Sequence, residues 1–259
     1  MTGTCVEYQH CTPSAVEARA FFELAFDRNL ATLGALLFEP ITLIVGVRRF
    51  GRLVGVGLVV AGEPNLPDAL PTVSFDADDA AALQALLANP RWPAHAVWSV
   101  DRAEYLPLVE AALGQRHDPT RGVVYFIASA PPASHSLARR LTSADTALDL
   151  ASCSLSAMAL SYWMLRGWHV FGAVEDQRLI GHAVAAYPIG DTEEVSAVFT
   201  APEARRRGIA RACVAVAIAD IQARGLRAVY VSRKNNHASI AVAEGLGMSQ
   251  LLETWELAS

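Results

Sequence analysis

The sequence predicts an α/β protein of two similarly built units, each a mixed, mostly antiparallel sheet flanked by helices. Three observations carry this. The chain has 259 residues, 53% hydrophobic and 18% charged, enough apolar material for one large or two ordinary cores and too much for disorder. A turn-rich run, SAPPASHS at 129–136, reads as a linker. On both sides of it the apolar pattern gives the same order of elements: hairpin, strand, helix, strand, helix, strand. The expected units are therefore 1–130 and 136–259.

The first half opens with helical patterning across 13–38. An apolar hairpin follows, ITLIVGVRRFGRLVGVGLVVAG. A short strand (TVSF), a helix (DADDAAALQALLA), a strand (HAVWSV), a helix (RAEYLPLVEAAL) and a strand (VVYFIAS) complete it. In the second half LARRLTSADTALDLAS reads as strand and helix and LSAMALSYWMLRG as a second helix. The hairpin WHVFGAVEDQRLIGHAVAAY turns at Glu175-Asp176-Gln177, and the strand EVSAVFT leads through a loop into a long helix from about Gly208 to Arg224, ended by Gly225. A strand (RAVYVS), a short helix (ASIAVAEGLG) and a last strand (LLETWEL) finish the chain.

Composition narrows the function. Lys and Arg number 21 against 26 Asp and Glu, a net charge of −5, and the imbalance lies wholly in the first 130 residues. Binding to nucleic acid needs a clustered basic excess, so that class is set aside. The N-terminus MTGTCVEYQH lacks the basic stretch and apolar core of a signal peptide, and the apolar runs are too short to span a bilayer. A cytoplasmic protein without a membrane partner is expected. Of the four cysteines only Cys5 and Cys11 cluster, with His10, and no second cluster completes a tetrahedral site. No metal is expected.

Chemistry concentrates in Val198-Phe199-Thr200-Ala-Pro-Glu-Ala-Arg205-Arg206-Arg207-Gly208-Ile209-Ala210-Arg211. A strand runs through an Arg-rich turn into the long helix, placing three cations at the positive end of the helix dipole. Each is disfavoured there by about 0.3–1 kcal/mol. A bound anion reverses the sign, because free backbone N–H groups and guanidiniums then converge on negative charge. A diphosphate suits this site, with Gly208 admitting its close approach. The alternative is a solvated basic turn. Neither GxxxxGK[ST] nor GxGxxG after a strand is present.

The run Arg205-x-x-Gly208-x-Ala210 resembles the Q/R-x-x-G-x-G/A signature of the GNAT superfamily of acyl-CoA-dependent N-acetyltransferases, and it lies between strand and helix as that family requires. Leu141-Thr-x-x-Asp145 and Asn236-x-x-Ser239 followed by Gly245-Leu-Gly-Met248 are similar to the family's early and late motifs. The resemblance covers the second half and implies acetyl-CoA, or another acyl-CoA, as co-substrate. It implies that Val198, Phe199 and Thr200 border the pantetheine arm, that the turn Arg205, Arg206, Arg207, Gly208, Ile209, Ala210 cradles the diphosphate, and that Asn236 and Ser239 meet the coenzyme from the next strand.

Attack of an amine on a thioester needs a base for the amine proton. Glu194 lies eleven residues before Arg205, the offset at which several family members place a catalytic glutamate. Strict alternation puts residues 194, 196, 198 and 200 on one face, with Glu193 opposite. The family's usual general acid, a tyrosine, is replaced by Ala243; water, Ser239 or His237 could take that role. Tyr230 is expected in the core. The same residues fit a second class, a coenzyme A-binding sensor or partner-binding module without turnover, which Ala243 favours.

In the first half, Asp76, Asp78 and Asp79 occupy the place of the arginine turn and would repel a diphosphate. This layout looks like tandem acyltransferases with a degenerate first half. That half either builds part of the acceptor pocket or serves the fold or a homodimer interface. The expected enzyme transfers an acyl group to a small-molecule or peptide primary amine by direct attack in a ternary complex.

Overall fold

The chain begins its first unit with a short edge strand that hydrophobic patterning missed, because its four residues are mostly polar and exposed. The computed structural model describes residues 8–62, 69–130, 132 and 137–259. Strand β1 (Tyr8–Cys11) pairs antiparallel with β2 (Ile41–Arg49). Between them lie α1 (Ala15–Glu23) and α2 (Leu30–Phe38). Helix α1 starts on a reciprocal cap, in which the Glu17 N–H donates to Ser14 Oγ and the Ser14 N–H to Glu17 Oε2. The hairpin to β3 (Arg52–Val60) turns on Phe50 and Gly51, both at positive φ, as a two-residue turn requires.

Strand β4 (Thr72–Ala77), helix α3 (Ala80–Leu87), strand β5 (Val97–Val100) and helix α4 (Leu106–Leu113) follow. Strands β4 and β5 run parallel and pair only from Thr72↔Val97 to Ser74↔Ser99. The core of this unit packs Val45, Phe75, Leu83, Leu86, Trp98 and Val109, all buried.

The second unit takes its first strand from before the linker. Strand β6 (Val123–Ile127) is followed by β7 (Arg139–Arg140), α5 (Ala157–Leu165), β8 (His169–Glu175), β9 (Arg178–Ile189), β10 (Thr192–Thr200), α6 (Ile209–Ala223), β11 (Arg227–Arg233), α7 (His237–Gly245) and β12 (Ser249–Glu253). Among the described residues these form a seven-stranded sheet in the order β12-β6-β11-β10-β9-β8-β7. Helix α6 packs across β8, β9 and β10. The chain ends in β13 (Trp255–Ala258), which pairs antiparallel with β5 of the first unit and completes a six-stranded sheet, β1-β2-β3-β4-β5-β13.

The division therefore differs from the expected 1–130 and 136–259. One unit comprises residues 1–123 and 252–259, the other 124–251. The two halves exchange terminal strands: VVYFI belongs to the second sheet, and LLETWEL divides at Thr254 between the two. Strand character is local, whereas sheet membership is set by tertiary pairing. The expected helix in LARRLTSADTALDLAS is also absent. Two single 3₁₀ turns, Ser143–Ala147 and Ala151–Cys153, stand there. Arg139 clamps Asp145 through two hydrogen bonds of 2.6 and 3.0 Å, and the Thr142 N–H donates to the same carboxylate. This holds Asp145 well below the usual range, at about 2. Among the described residues no helix is long and apolar enough to cross a membrane.

Candidate active site

The site forms where β10 and β11 part. Their parallel pairing runs from Thr192↔Arg227 to Val195↔Tyr230 and stops. Beyond Val195, among the described residues, the β11-facing edge of β10 has no strand paired with it, so its backbone groups are open to an extended ligand. On the other edge, β10 stays paired with β9 through a bulge between Ser196 and Phe199, with Ala197 at φ +47°.

That bulge corrects the simple alternation. Glu194, Ser196 and then Phe199 stand opposite Ala186, Val184 and His182, so these three share one face. Thr200 stands opposite Gly181, whose absent Cβ would lie 2.4 Å from Ile209 Cγ2 of α6. Residue 200 thus turns to the α6 side, away from Glu194. The extra residue at the bulge inverts the pattern downstream of it.

A cavity of about 520 Å³ opens at this fork. Every residue expected to bind coenzyme lines it except Arg207: Val198, Phe199 and Thr200 from β10; Arg205, Arg206, Gly208, Ile209 and Ala210 from the turn and α6; Asn236 and Ser239 from the start of α7. Arg211, Tyr230, Ala238 and Val242 complete the wall. Arg207 turns aside to pair with Glu175 at the end of β8, a partner 32 positions away that sequence spacing could not reveal. Lys234 and His237 lie off this wall.

The turn is shaped for an anion. Gly208 caps α6 at φ +78° with no side-chain hydrogen bond to the helix start, and nothing lies within 4 Å of where a Cβ would be. Arg206 holds the left-handed region at φ +61°, an uncommon state for a side-chain-bearing residue. Among the described residues Arg205, Arg206 and Arg211 have no carboxylate partner. Open N–H groups and uncompensated guanidiniums therefore face one concave surface.

The corresponding helix of the first unit is closed. Asp79 caps α3, accepting from the Ala82 N–H at 2.7 Å. Asp76 is buried and engages Arg28 at 2.6 Å and Asn29 at 3.0 Å, while Asp101 accepts from Thr32 at 3.1 Å. Side chains fill the place that in the second unit stands open.

Two adjacent glutamates on β10 diverge. Glu193 is buried and pairs with Arg224, the residue that caps the end of α6, at 2.5 Å, which commits its charge. Glu194 points the other way. Burial pushes its carboxyl up to about 7, against the opposing effect of a hydrogen bond from Ser196. Such a group exchanges a proton near neutrality. On the same face His182 is buried beside Phe199 and Trp163, and burial lowers it to about 4, keeping the ring neutral.

Tyr230 is in the core as expected, at 1% exposure, yet it also reaches the cavity wall and its hydroxyl meets Ser239 Oγ at 2.5 Å. Its strand position could not decide between core and cleft; it serves both. Cys153 and Cys213 are buried, which raises them to about 11 and about 12 and leaves both as unreactive thiols. Among the described residues no group of His, Cys, Asp and Glu could hold a metal; His10 bonds the Ala85 carbonyl, and Cys5 lies outside them.

Residues 144–248 match the model of the acetyltransferase (GNAT) family. No curated protein matches the chain. Among solved structures it is similar to a tandem GNAT protein from the clavulanic acid biosynthesis pathway, with 16% identity, 98% of each chain covered and a TM-score of 0.63. It is also similar to a GCN5-related N-acetyltransferase from Sphaerobacter thermophilus (13% identity, 97% of this chain and 95% of that one, TM-score 0.65). A GNAT-family acetyltransferase from Colwellia psychrerythraea is comparable, at 13% identity, 97% and 99% coverage and a TM-score of 0.65. The forked strands, the open turn before α6 and these likenesses agree: residues 144–248 of the second unit match the GNAT family, within a chain that has the fold of a tandem GNAT protein.

Proposed function

We propose that the protein is an N-acyltransferase that moves an acyl group, acetyl in the first instance, from an acyl-CoA to a primary amine of a small molecule or peptide. One observation carries this: the cavity joins an uncapped, arginine-rich helix start to the open edge of β10; Glu194, off the cavity wall, stands earlier on that strand with its carboxyl pushed up to about 7. The diphosphate would sit on the N–H groups of Arg206 to Ala210, and the pantetheine arm would lie along Val198 to Thr200 as an added strand. Glu194, directly or through a water, takes the proton of the attacking amine. With both described buried cysteines held as thiols, the amine attacks the thioester directly in a ternary complex. The first unit binds no coenzyme in this scheme, since Asp79 already fills its helix start. A cytoplasmic location is part of the same reading.

The test is a calorimetric titration of acetyl-CoA followed by mass-spectrometric search for acyl-amine products over an amine panel. Micromolar binding with product formation supports an enzyme. Binding without product from any amine would favour a coenzyme sensor, and absence of binding would remove the reading.

A further inference from the structure

The leaving thiolate of coenzyme A needs a proton, and the cavity wall offers few sources. Its arginines stay charged throughout the accessible pH range and cannot donate usefully. Asn236 has no acidic proton to give, and no Asp, Glu, His or Cys lines the wall. That leaves three hydroxyls: Thr200, Tyr230 and Ser239. Among the described residues Thr200 Oγ1 has no hydrogen-bond partner, so no second hydroxyl stands behind it to return a proton. Tyr230 and Ser239 are joined at 2.5 Å, and a phenol titrates near 10, within about two pH units of a thiol near 8.5.

Their place along the cavity matters equally. Tyr230 stands in register with Val195, the last position at which β10 and β11 pair, whereas the arginine turn follows Thr200 at the far end of β10. A ligand with its diphosphate at the turn and its pantetheine arm along Val198 to Thr200 would bring its sulfur to the Tyr230–Ser239 end of the wall. Exposure orders the pair, since Ser239 is half-buried and Tyr230 almost wholly so.

We infer that Ser239 and Tyr230 form a two-hydroxyl proton relay that protonates the departing coenzyme A thiolate, Ser239 facing the sulfur and Tyr230 resupplying it. As the tetrahedral intermediate collapses, the C–S bond breaks and its electron pair goes to sulfur. Sulfur takes the Ser239 proton while Ser239 takes the proton of Tyr230. The free thiol leaves, and water restores the phenol through the same serine. The amine's proton goes out through Glu194, so the overall reaction is amine plus acyl thioester to amide plus thiol. Burial raises Tyr230 above its ordinary value, which keeps it protonated in the resting state. This inference rests on the acyltransferase reading above.

The test compares Tyr230→Phe, Ser239→Ala and the double variant with wild type, measuring acetyl-CoA affinity by calorimetry and acyl transfer across pH 6–10. A relay predicts acetyl-CoA affinity within about threefold of wild type in Tyr230→Phe and turnover lowered on the order of 10²-fold in each single variant. It further predicts no added loss in the double variant, and disappearance of the alkaline fall in rate in Tyr230→Phe. Turnover near wild type in Tyr230→Phe would overturn it, as would losses that multiply or that come with weakened binding and an unchanged pH profile, which mark packing alone. Wild type that binds acetyl-CoA yet acylates no amine sinks the acyltransferase reading and this one together. Wild-type turnover with an unaffected Tyr230→Phe sinks only this one.

Discussion

Glu194→Gln separates the candidate base from its neighbours without needing to know the acceptor. The carboxyl moves from an ordinary 4.5 to about 7 on folding because β10 and the strands beside it strip its water. At about 1.4 kcal/mol per pH unit, this displacement corresponds to a ceiling of about 3 kcal/mol. Glu194 keeps partial solvent access, and solvent screening brings the working figure to about 1–2 kcal/mol. The sign follows from linkage. A carboxyl raised on folding holds its proton better in the native state, so its contribution to stability is full below pH 4.5 and lost as pH rises to about 7. Glutamine cannot ionise and removes that loss. Urea unfolding from pH 4 to 8.5 should therefore show the variant matching wild type at the acid end and exceeding it by about 1–2 kcal/mol above pH 7. In the same samples acyl transfer at pH 8 should fall by about 10²–10⁴-fold with acetyl-CoA affinity retained. A stability difference that does not change with pH would refute the claim that this carboxyl is desolvated, and with it the reason for choosing it as base.

Gly208→Glu should abolish acetyl-CoA binding in calorimetry, whereas Gly208→Ala should cost about 1 kcal/mol of stability for the left-handed backbone and retain measurable binding; unchanged affinity in the glutamate variant would refute the diphosphate assignment. In the first unit Asp101 is buried and raised to about 7 chiefly by loss of water, with Asp76 adding to it and Thr32, Ser99 and Arg28 opposing. Its contribution is likewise full below pH 3.8 and lost as pH rises to about 7, so Asp101→Asn should gain about 2–4 kcal/mol over wild type above pH 7 and nothing near pH 4, read from urea unfolding at the two pH values.

What could be read in the sequence was whatever local chemistry decides. Gly208 and Gly225 bracket α6, and the Arg205–Ala210 run marks the turn, because each depends on its own residues. The bulge at Ala197 was invisible, since alanine carries no signal for positive φ and the register of β9 imposes it. The withdrawal of Arg207 to Glu175 depended on a distant strand end. Asp145 reads as a helix-start residue, but Arg139 holds it in a single 3₁₀ turn. Tyr230 could not be assigned to core or cleft by alternation, because the fork beside Val195 gives one side chain access to both.

The exchange of strands between the halves has a consequence in time. The sheet of the first unit includes β13, which is synthesised after the strands of the second sheet, so a nascent chain that has made all of β1 to β5 still exposes an unpaired edge at β5. Meanwhile β6, made early, waits for a sheet that does not yet exist. Neither half can finish folding as a vectorial unit, and the four-residue strand Trp255–Ala258 acts as a clasp that closes the first sheet only after the strands of the second have been made.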